Sequence, residues 1–418
     1  MKKDDTLFKT PSNLRVANQR SVMEAIRRRP SSCSELSESL NLSNPALKNI
    51  TDELLKEGLI LQFAPVSKEK KGRGRSKVLY EVNEGVGVFA AADLSGRNLS
   101  VCISDINNRI LARDEVRNVL FIDKGVLQSV ASKIEELLKK EAVKNRRLLG
   151  ICISSPGKID PQTSFFLAAP RFMDYRSLSL KDFFESRFHV PTEVRNDINM
   201  GLVGEARFGA IPKGAKNVYF AFVDIASGSS LMIDGDIYLG SNGYAGEMPN
   251  INPVDEESKA CNDRFFTLTD LYLKIKELGK EESDPFYRKE VFELSEVIER
   301  YEQKDKVVLR ALDYSAKMNA LKLLFIANLL DPDCICLEGR IFDFGRPYFE
   351  SILKYFRLYD ANFNTASIIL SSLSHDANLL GAVSTANDHY LLTRFAEMAN
   401  KRTSREDYDL DEYFVKRV

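Results

Sequence analysis

Six cations fall in the segment 67–77, SKEKKGRGRSK, five of them close together: Lys70, Lys71, Arg73, Arg75 and Lys77, with Gly72 and Gly74 among them. Long basic side chains on a glycine-containing tip can lie along a phosphate backbone, and the glycines would let Arg73 enter a narrow minor groove. An isolated charge run reads equally well as a solvated loop. Here a helical stretch precedes it whose outward side carries Asn44, Ala46, Lys48, Asn49 and Asp52. Asn can read adenine with two hydrogen bonds, and Lys can reach a guanine or a phosphate. Asn44, Lys48 and Asn49 are therefore candidates for base and backbone contacts, with Ala46 on the same side and Lys71, Arg73 and Arg75 as phosphate contacts. Asp52 would repel phosphate.

The elements that must position these residues follow from spacing and breakers. Val22, Met23 and Ile26 give one apolar face to a helix over about Leu14 to Arg29, which Pro30 stops. Ser31 or Ser32 can cap a second helix, CSELSESL, with Leu36 and Leu40 one turn apart. After the turn Asn41-Leu42-Ser43, Asn44 is expected to cap a third helix with Pro45 in its first position; Leu47, Ile50, Leu54 and Leu55 would face the first two, and Gly58 ends it. Two helices joined by a three-residue turn make a helix-turn-helix, whose second helix enters the major groove. The runs LILQFAPV and VLYEV on either side of the basic tip predict a two-stranded wing.

Charge divides in the same place. The net charge is -1, yet residues 1–83 hold 16 Lys+Arg against 10 Asp+Glu, and the remainder holds 43 against 50. A basic first domain on a neutral protein suggests a polyanion partner for that domain alone. At 418 residues the chain has room for two or three domains with their own cores. It shows neither a secretory leader nor a bilayer-length apolar run, so a cytoplasmic protein without a membrane partner is expected. Cys33, Cys102, Cys152, Cys261, Cys334 and Cys336 are scattered without a CxxC pair, and His189, His375 and His389 stand far apart. Structural thiols are expected, with no metal site and no cofactor.

Beyond Asn83 the texture becomes strands alternating with helical stretches, the pattern of an α/β domain. Strands are expected over 87–94, 99–106, 146–160, 190–198, 217–225, 229–240 and 334–339. A helix is expected over 200–209 and helical stretches around 263–330. The charged segment from Leu391 to Val418 reads as a solvated helix and tail.

The order of a winged helix, then DLSG at 93–96, SSPGKID at 154–160, RNDINMGLVGEARFGA at 195–210, GYAGE at 243–247, LDPDCICLEGR at 330–340 and DANLLGA at 376–382 resembles the ROK family of repressors and sugar kinases, collinearly along nearly the whole chain. The resemblance implies a winged helix-turn-helix over 1–83, followed over 84–418 by a two-lobed, actin-like (ribonuclease-H-like) fold. The lobes would divide near 200, with C-terminal helices returning to the first lobe and a sugar cleft between the two. It places Asp197 at the position of the kinases' catalytic base, Asn196 at a sugar hydrogen bond, Glu247 at a second sugar carboxylate, Gly157 beside the ligand, and Asn250 where the family has a sugar-contacting histidine. Asn and carboxylates together offer donors and acceptors to vicinal hydroxyls.

Three motifs depart from the family. The first phosphate loop, Asp-x-Gly-Gly-Thr, reads Asp93-Leu94-Ser95-Gly96-Arg97, and the second, Gly-Thr-Gly-x-Gly, reads Asp224-Ile225-Ala226-Ser227-Gly228. An acid and a branched side chain would repel and crowd a nucleotide phosphate. The zinc motif Gly-Glu-x-Gly-His becomes Gly246-Glu247-Met248-Pro249-Asn250. The expectation is a homodimeric repressor of carbohydrate genes that binds a two-fold DNA operator under control of a sugar or derivative, with no catalytic residue. A sugar kinase with an appended DNA-binding domain, and a ligand-independent regulator with a vestigial cleft, remain the alternatives.

Overall fold

Short-range signals set the first elements. In the computed structural model, which describes residues 11–63, 78–160, 163–169, 171–173, 178–246, 265–362 and 364–400, helix α1 spans Pro11–Arg28, α2 Cys33–Leu40 and α3 Asn44–Lys56. α1 starts three residues before the expected Leu14. Ser32 caps α2 in a capping box with Glu35. Ser43, not Asn44, caps α3: its hydroxyl accepts from Ala46 N at 3.4 Å, which places Asn44 and Pro45 in the first turn. Val22, Met23, Ile26, Leu36, Leu47, Ile50 and Leu54 are buried together, while Leu55 is half-buried. Strands β1 (Ile60–Phe63) and β2 (Leu79–Val82) pair antiparallel from Ile60 opposite Val82, and a Ser31–Tyr80 bridge extends the sheet. Residues 64–77, with Lys71, Arg73 and Arg75, lie outside the described residues.

The rest of the chain builds one strand order twice. The first sheet contains β3 (Val88–Asp93), β4 (Leu99–Asp105) and β5 (Ile110–Val116), then, after α4 (Lys124–Leu138), β6 (Leu148–Ser155). A small hairpin of β7 (Lys158–Ile159) and β8 (Phe166–Ala168), then α5 (Leu180–Phe188), lead to β9 (Thr192–Asn196). Its order is β5-β4-β3-β6-β9, with β3–β4–β5 antiparallel and β3–β6 parallel. After α6 (Asp197–Phe208) come β10 (Val218–Val223), β11 (Ser227–Ile233) and β12 (Asp236–Ile237). Helices α7 (Leu268–Leu278), α8 (Leu294–Glu302) and α9 (Lys306–Leu330) precede β13 (Cys334–Glu338), and α10 (Arg346–Tyr359) precedes β14 (Ser367–Leu370). The second order is β12-β11-β10-β13-β14, antiparallel and then parallel in the same way. Three antiparallel strands continued by two crossover strands, occurring twice, are the hallmark of the ribonuclease-H-like fold.

Among the described residues, those up to Arg195 together with those from Ala382 onward form one unit, and Asn196 to Gly381 form the other. The first has its core on the inward side of β3, where Val88, Ala90 and Ala92 meet Leu127, Ile134 and Phe184. The second is built around Ala221 and Val223 of β10, Ile335 and Leu337 of β13, and the inner face of α9. Burial pushes the Cys334 thiol up to about 11 and those of Cys152 and Cys336 higher still, so these cysteines are inert core residues.

The C-terminal segment overturns an expectation. α11 (Ala377–Asn400) is no solvated helix as far as it is described: Leu391, Leu392, Phe395, Ala396 and Met398 are all buried. Its charges are spent in pairs. Arg20 Nη2 lies 3.2 Å from Asp388 Oδ2, and Arg394 pairs with Glu57. No helix among the described residues is long and apolar enough to cross a membrane.

Candidate functional site

α3 presents the face that sequence spacing assigned to it. Asn44, Lys48, Asn49 and Asp52 are exposed and Ala46 is half-buried, while Leu47, Ile50 and Leu54 fill the opposite side. Because Ser43 performs the capping, the Asn44 amide is not consumed at the helix end. Ser37 Oγ donates to the Leu42 carbonyl at 2.6 Å, fixing the turn that aims α3. Glu53 ties α3 back to α1 by accepting from Gln19 Nε2 at 3.1 Å and pairing with Arg15. The result is a rigid polar helix face at the N-terminal end of a helix, the part that reaches base edges in helix-turn-helix proteins.

The candidate ligand residues fall in several places. Asn196 closes β9 and caps α6: its Oδ1 accepts from Ile198 N at 3.0 Å and Asn199 N at 3.2 Å. Asp197, the first residue of α6, accepts from Ile198 N at 2.9 Å. Both are half-buried, with the carboxylate in the first turn, where the helix dipole favours negative charge. Asn199 in the same turn is joined to β11, whose Ser230 Oγ lies 2.6 Å from Asn199 Oδ1. Next to Ser230, the Ser229 hydroxyl bonds to the carbonyl of Gly246. The strand thus brings the peptide that leads into Glu247 alongside the α6 N-terminus. Glu247 and Asn250 themselves lie outside the described residues. Gly157 sits in the turn after β6 at φ +114°, and a Cβ there would come 2.7 Å from the Ala168 carbonyl oxygen. The close approach it permits is by the backbone of β8.

At the segments 93–97 and 224–228, internal partners engage the polar groups. Asp93 Oδ1 accepts from Ser95 N at 3.2 Å and Ser154 Oγ at 2.9 Å, and its Oδ2 accepts from Ser95 Oγ at 2.9 Å. Arg171 donates to the carbonyls of Leu94 at 3.0 Å and Val119 at 3.1 Å, and to that of Ser95. Arg97 points outward as an exposed residue. In the other unit Asp224, at the end of β10, takes a bidentate guanidinium: Arg340 Nε is 2.9 Å from Oδ2 and Nη2 is 2.8 Å from Oδ1. That hydrogen bond raises the Arg340 pKa further. No cluster of three or more His, Cys, Asp or Glu side chains able to hold a metal occurs among the described residues.

Several residues with structural weight gave no signal in the sequence. Glu205, fully buried on α6, accepts from Ser371 Oγ at 2.7 Å, Ser372 N at 3.0 Å, Leu373 N at 2.7 Å and Ala210 N at 2.7 Å. Arg171 and Arg340 likewise find their partners far along the chain. Only the fold reveals them.

Comparison with known proteins supplies what geometry cannot. The sequence pattern of the ROK family matches residues 89–389. The xylose repressor of Caldicellulosiruptor bescii is 26% identical over 367 residues, covering 84% of this chain and 90% of that protein. The xylose repressor of Bacillus spizizenii is 25% identical over 380 residues, covering 90% and 96%. Among solved structures, a ROK family transcriptional regulator described as a homologue of the Escherichia coli MLC protein superposes with a TM-score of 0.75 at 19% identity, over 92% of this chain and 98% of that one. That likeness establishes the fold across nearly the whole chain.

Proposed function

The chain belongs to the ROK family, and from that premise we propose that it is a sugar-responsive transcriptional repressor which reads operator DNA with α3. The observation that carries this reading is the exposed row Asn44, Lys48 and Asn49 on a helix whose other side is locked into a winged-helix core, placed ahead of a ROK domain. Relatives named xylose repressors, aligned over most of both chains, support it. Residues 1–83 form the DNA-reading module, with Lys71, Arg73 and Arg75 of the wing on phosphates. Residues 84–418 form the effector domain. A homodimer presents two α3 helices to a two-fold operator. A protein with this task works beside the chromosome, in the cytoplasm.

The effector residues we propose are Asn196 and Asp197 at the start of α6, together with Gly157, Glu247 and Asn250, on the strength of the family resemblance. The relatives' names favour a pentose such as D-xylose or a closely related sugar. A sugar alters DNA binding only by its different affinity for two arrangements of the protein. The chain is not expected to phosphorylate that sugar. The Asp224–Arg340 pair and the Arg171 clamp support that expectation, because they engage the segments 224–228 and 93–97, which the family resemblance aligns with phosphate loops. The test is capture of genomic fragments by the purified protein, followed by a sugar panel on the recovered site and an ATP-consumption assay with the same sugars. A specific site released by one sugar without ATP turnover supports the proposal. Turnover that vanishes in Asp197→Asn defeats it in favour of the kinase.

A further inference from the structure

α9 is buried along one side and bare along another. Val308, Leu312, Leu323 and Ala327 fill the core of the second unit. Leu321, Phe325 and Leu329, one turn apart on the outer side, stand 47%, 61% and 67% exposed. α10 extends this bare face. Ser315 Oγ lies 2.7 Å from Tyr348 Oη near one end, and Asn362 Nδ2, just after α10, donates to Asn328 Oδ1 at 2.9 Å near the other. The two helices therefore run in the same direction. Tyr355 Oη donates to Asp313, and the Tyr355 ring stacks on that of Tyr359 at 5.8 Å between centroids. Those contacts set the last turn of α10, with the exposed Leu358 and Tyr359, beside Leu321. Single exposed apolar side chains are ordinary on a protein surface, but five large ones on adjoining turns form a patch that marks a protein contact.

The charges around the patch say what covers it. Toward the start of the two helices the flanking charges are Lys317, Lys322, Lys354 and Arg357 against Asp313, with which Lys317 also pairs. Toward their ends stand Asp331, Asp333 and Asp360, where both helix dipoles add negative potential. A face that is positive at one end, apolar in the middle and negative at the other is complementary to itself after half a turn. We propose that this face of α9 and α10 docks a second copy of the chain about a two-fold axis passing beside Phe325. From Phe325, Lys317 lies roughly 12 Å toward one end of α9 and Asp331 roughly 9 Å toward the other, at the helical rise per residue. An antiparallel crossing thus brings each lysine within a turn of the aspartate of the other copy and sets Leu321 against Leu329. The proposal rests on the repressor reading in that a two-fold operator asks for two copies, and it adds the surface on which they meet. All of its residues belong to the second unit.

The test is sedimentation velocity of the full chain without DNA, for wild type, Phe325→Asp, Leu329→Asp and Val291→Asp, each checked for native circular dichroism. Titration of the operator recovered from genomic fragments accompanies it. Wild type is expected to sediment as a dimer. Each patch variant should weaken the dimer roughly 100-fold or more, because it buries a bare carboxylate among apolar side chains at the centre of the contact. Val291→Asp, at an exposed apolar position ahead of α8, should leave the dimer as in wild type. Operator affinity should fall in the two patch variants together with the dimer. Wild type that stays monomeric at about 100 μM, where even a weak association is populated, overturns the proposal and leaves the face to a different partner. A dimer that both patch variants keep, or that Val291→Asp loses equally, overturns it too. If Phe325→Asp fails to fold, Leu329→Asp decides. Wild type that forms the dimer, loses it in the patch variants and binds no DNA defeats the repressor reading and leaves the interface standing.

Discussion

Replacing Glu205 with Gln tests how far one buried carboxylate holds α6 in place. Its Oε1 accepts three hydrogen bonds, from Ser371 Oγ and the amides of Ser372 and Leu373, and its Oε2 accepts a fourth from Ala210 N, all between 2.7 and 3.0 Å. Gln is nearly isosteric. With its oxygen kept at the three-donor end, its NH2 group must face the Ala210 N–H, so one charge-assisted bond becomes a donor–donor contact. Such a bond is worth roughly 1.5–3 kcal/mol, and the three that remain weaken as they lose the charge. Relief of the carboxylate's own desolvation offsets part of this, leaving a net loss of about 2–4 kcal/mol. For a unit of this size each kcal/mol moves the midpoint by about 2–4 °C, so Tm should fall by roughly 4–16 °C. Calorimetry on the full chain reads the shift, and urea titration should show a lower midpoint with an unchanged slope. A fall of less than about 2 °C would refute the reasoning, because it would mean that the four donors are satisfied without the charge.

Three further outcomes follow from the same geometry. Lys48→Ala should weaken binding to all DNA sequences alike and flatten the log–log salt slope by about one unit, whereas Asn49→Ala should cost about 1–3 kcal/mol at a single operator position; anisotropy titrations at several salt concentrations separate the two. His389 has its pKa lowered by burial, against the opposing pull of Glu193. Its folded value lies below the unfolded one near 6.5, so it contributes stability that is present above that value and is lost as pH falls toward the folded pKa. Unfolding titrations between pH 7.5 and about 5.5 should therefore show a decline that His389→Gln reduces. Leu47→Ala, at a fully buried position in the α3 core, should cost about 2–5 kcal/mol and abolish DNA binding at moderate temperature, read by circular dichroism and anisotropy together.

What could be read from the sequence were features whose causes lie within a few residues. The spacing of Leu36, Leu47, Ile50 and Leu54, the break at Pro30 and the serine caps define the winged helix, because capping and amphipathic burial are local events. Even there, two polar residues side by side made the choice of Ser43 over Asn44 invisible, since either can cap. Asn196 and Asp197 were legible as a strand end followed by a helix start. The largest misreading, the segment from Leu391, has a physical cause. A helix covered on more than one side loses the single apolar stripe that marks burial, and its Arg394 looked solvated because its partner, Glu57, lies more than 300 residues away. Separations of more than 100 residues likewise hid the Arg340–Asp224 pair and the partners of Glu205 at Ser371 to Leu373. Long-range ion pairs of this kind leave no periodicity.

The central claim is that the α3 face reads DNA under the control of a sugar held at the start of α6. Its most direct test is a titration of the operator recovered from genomic fragments, using wild type and Asp197→Asn with D-xylose and related sugars. The account predicts a roughly two-fold-symmetric site that one sugar releases from wild type, with Asp197→Asn binding the same site but no longer released. Sugar release that is identical in the two proteins, or specific binding that no sugar changes, would contradict it.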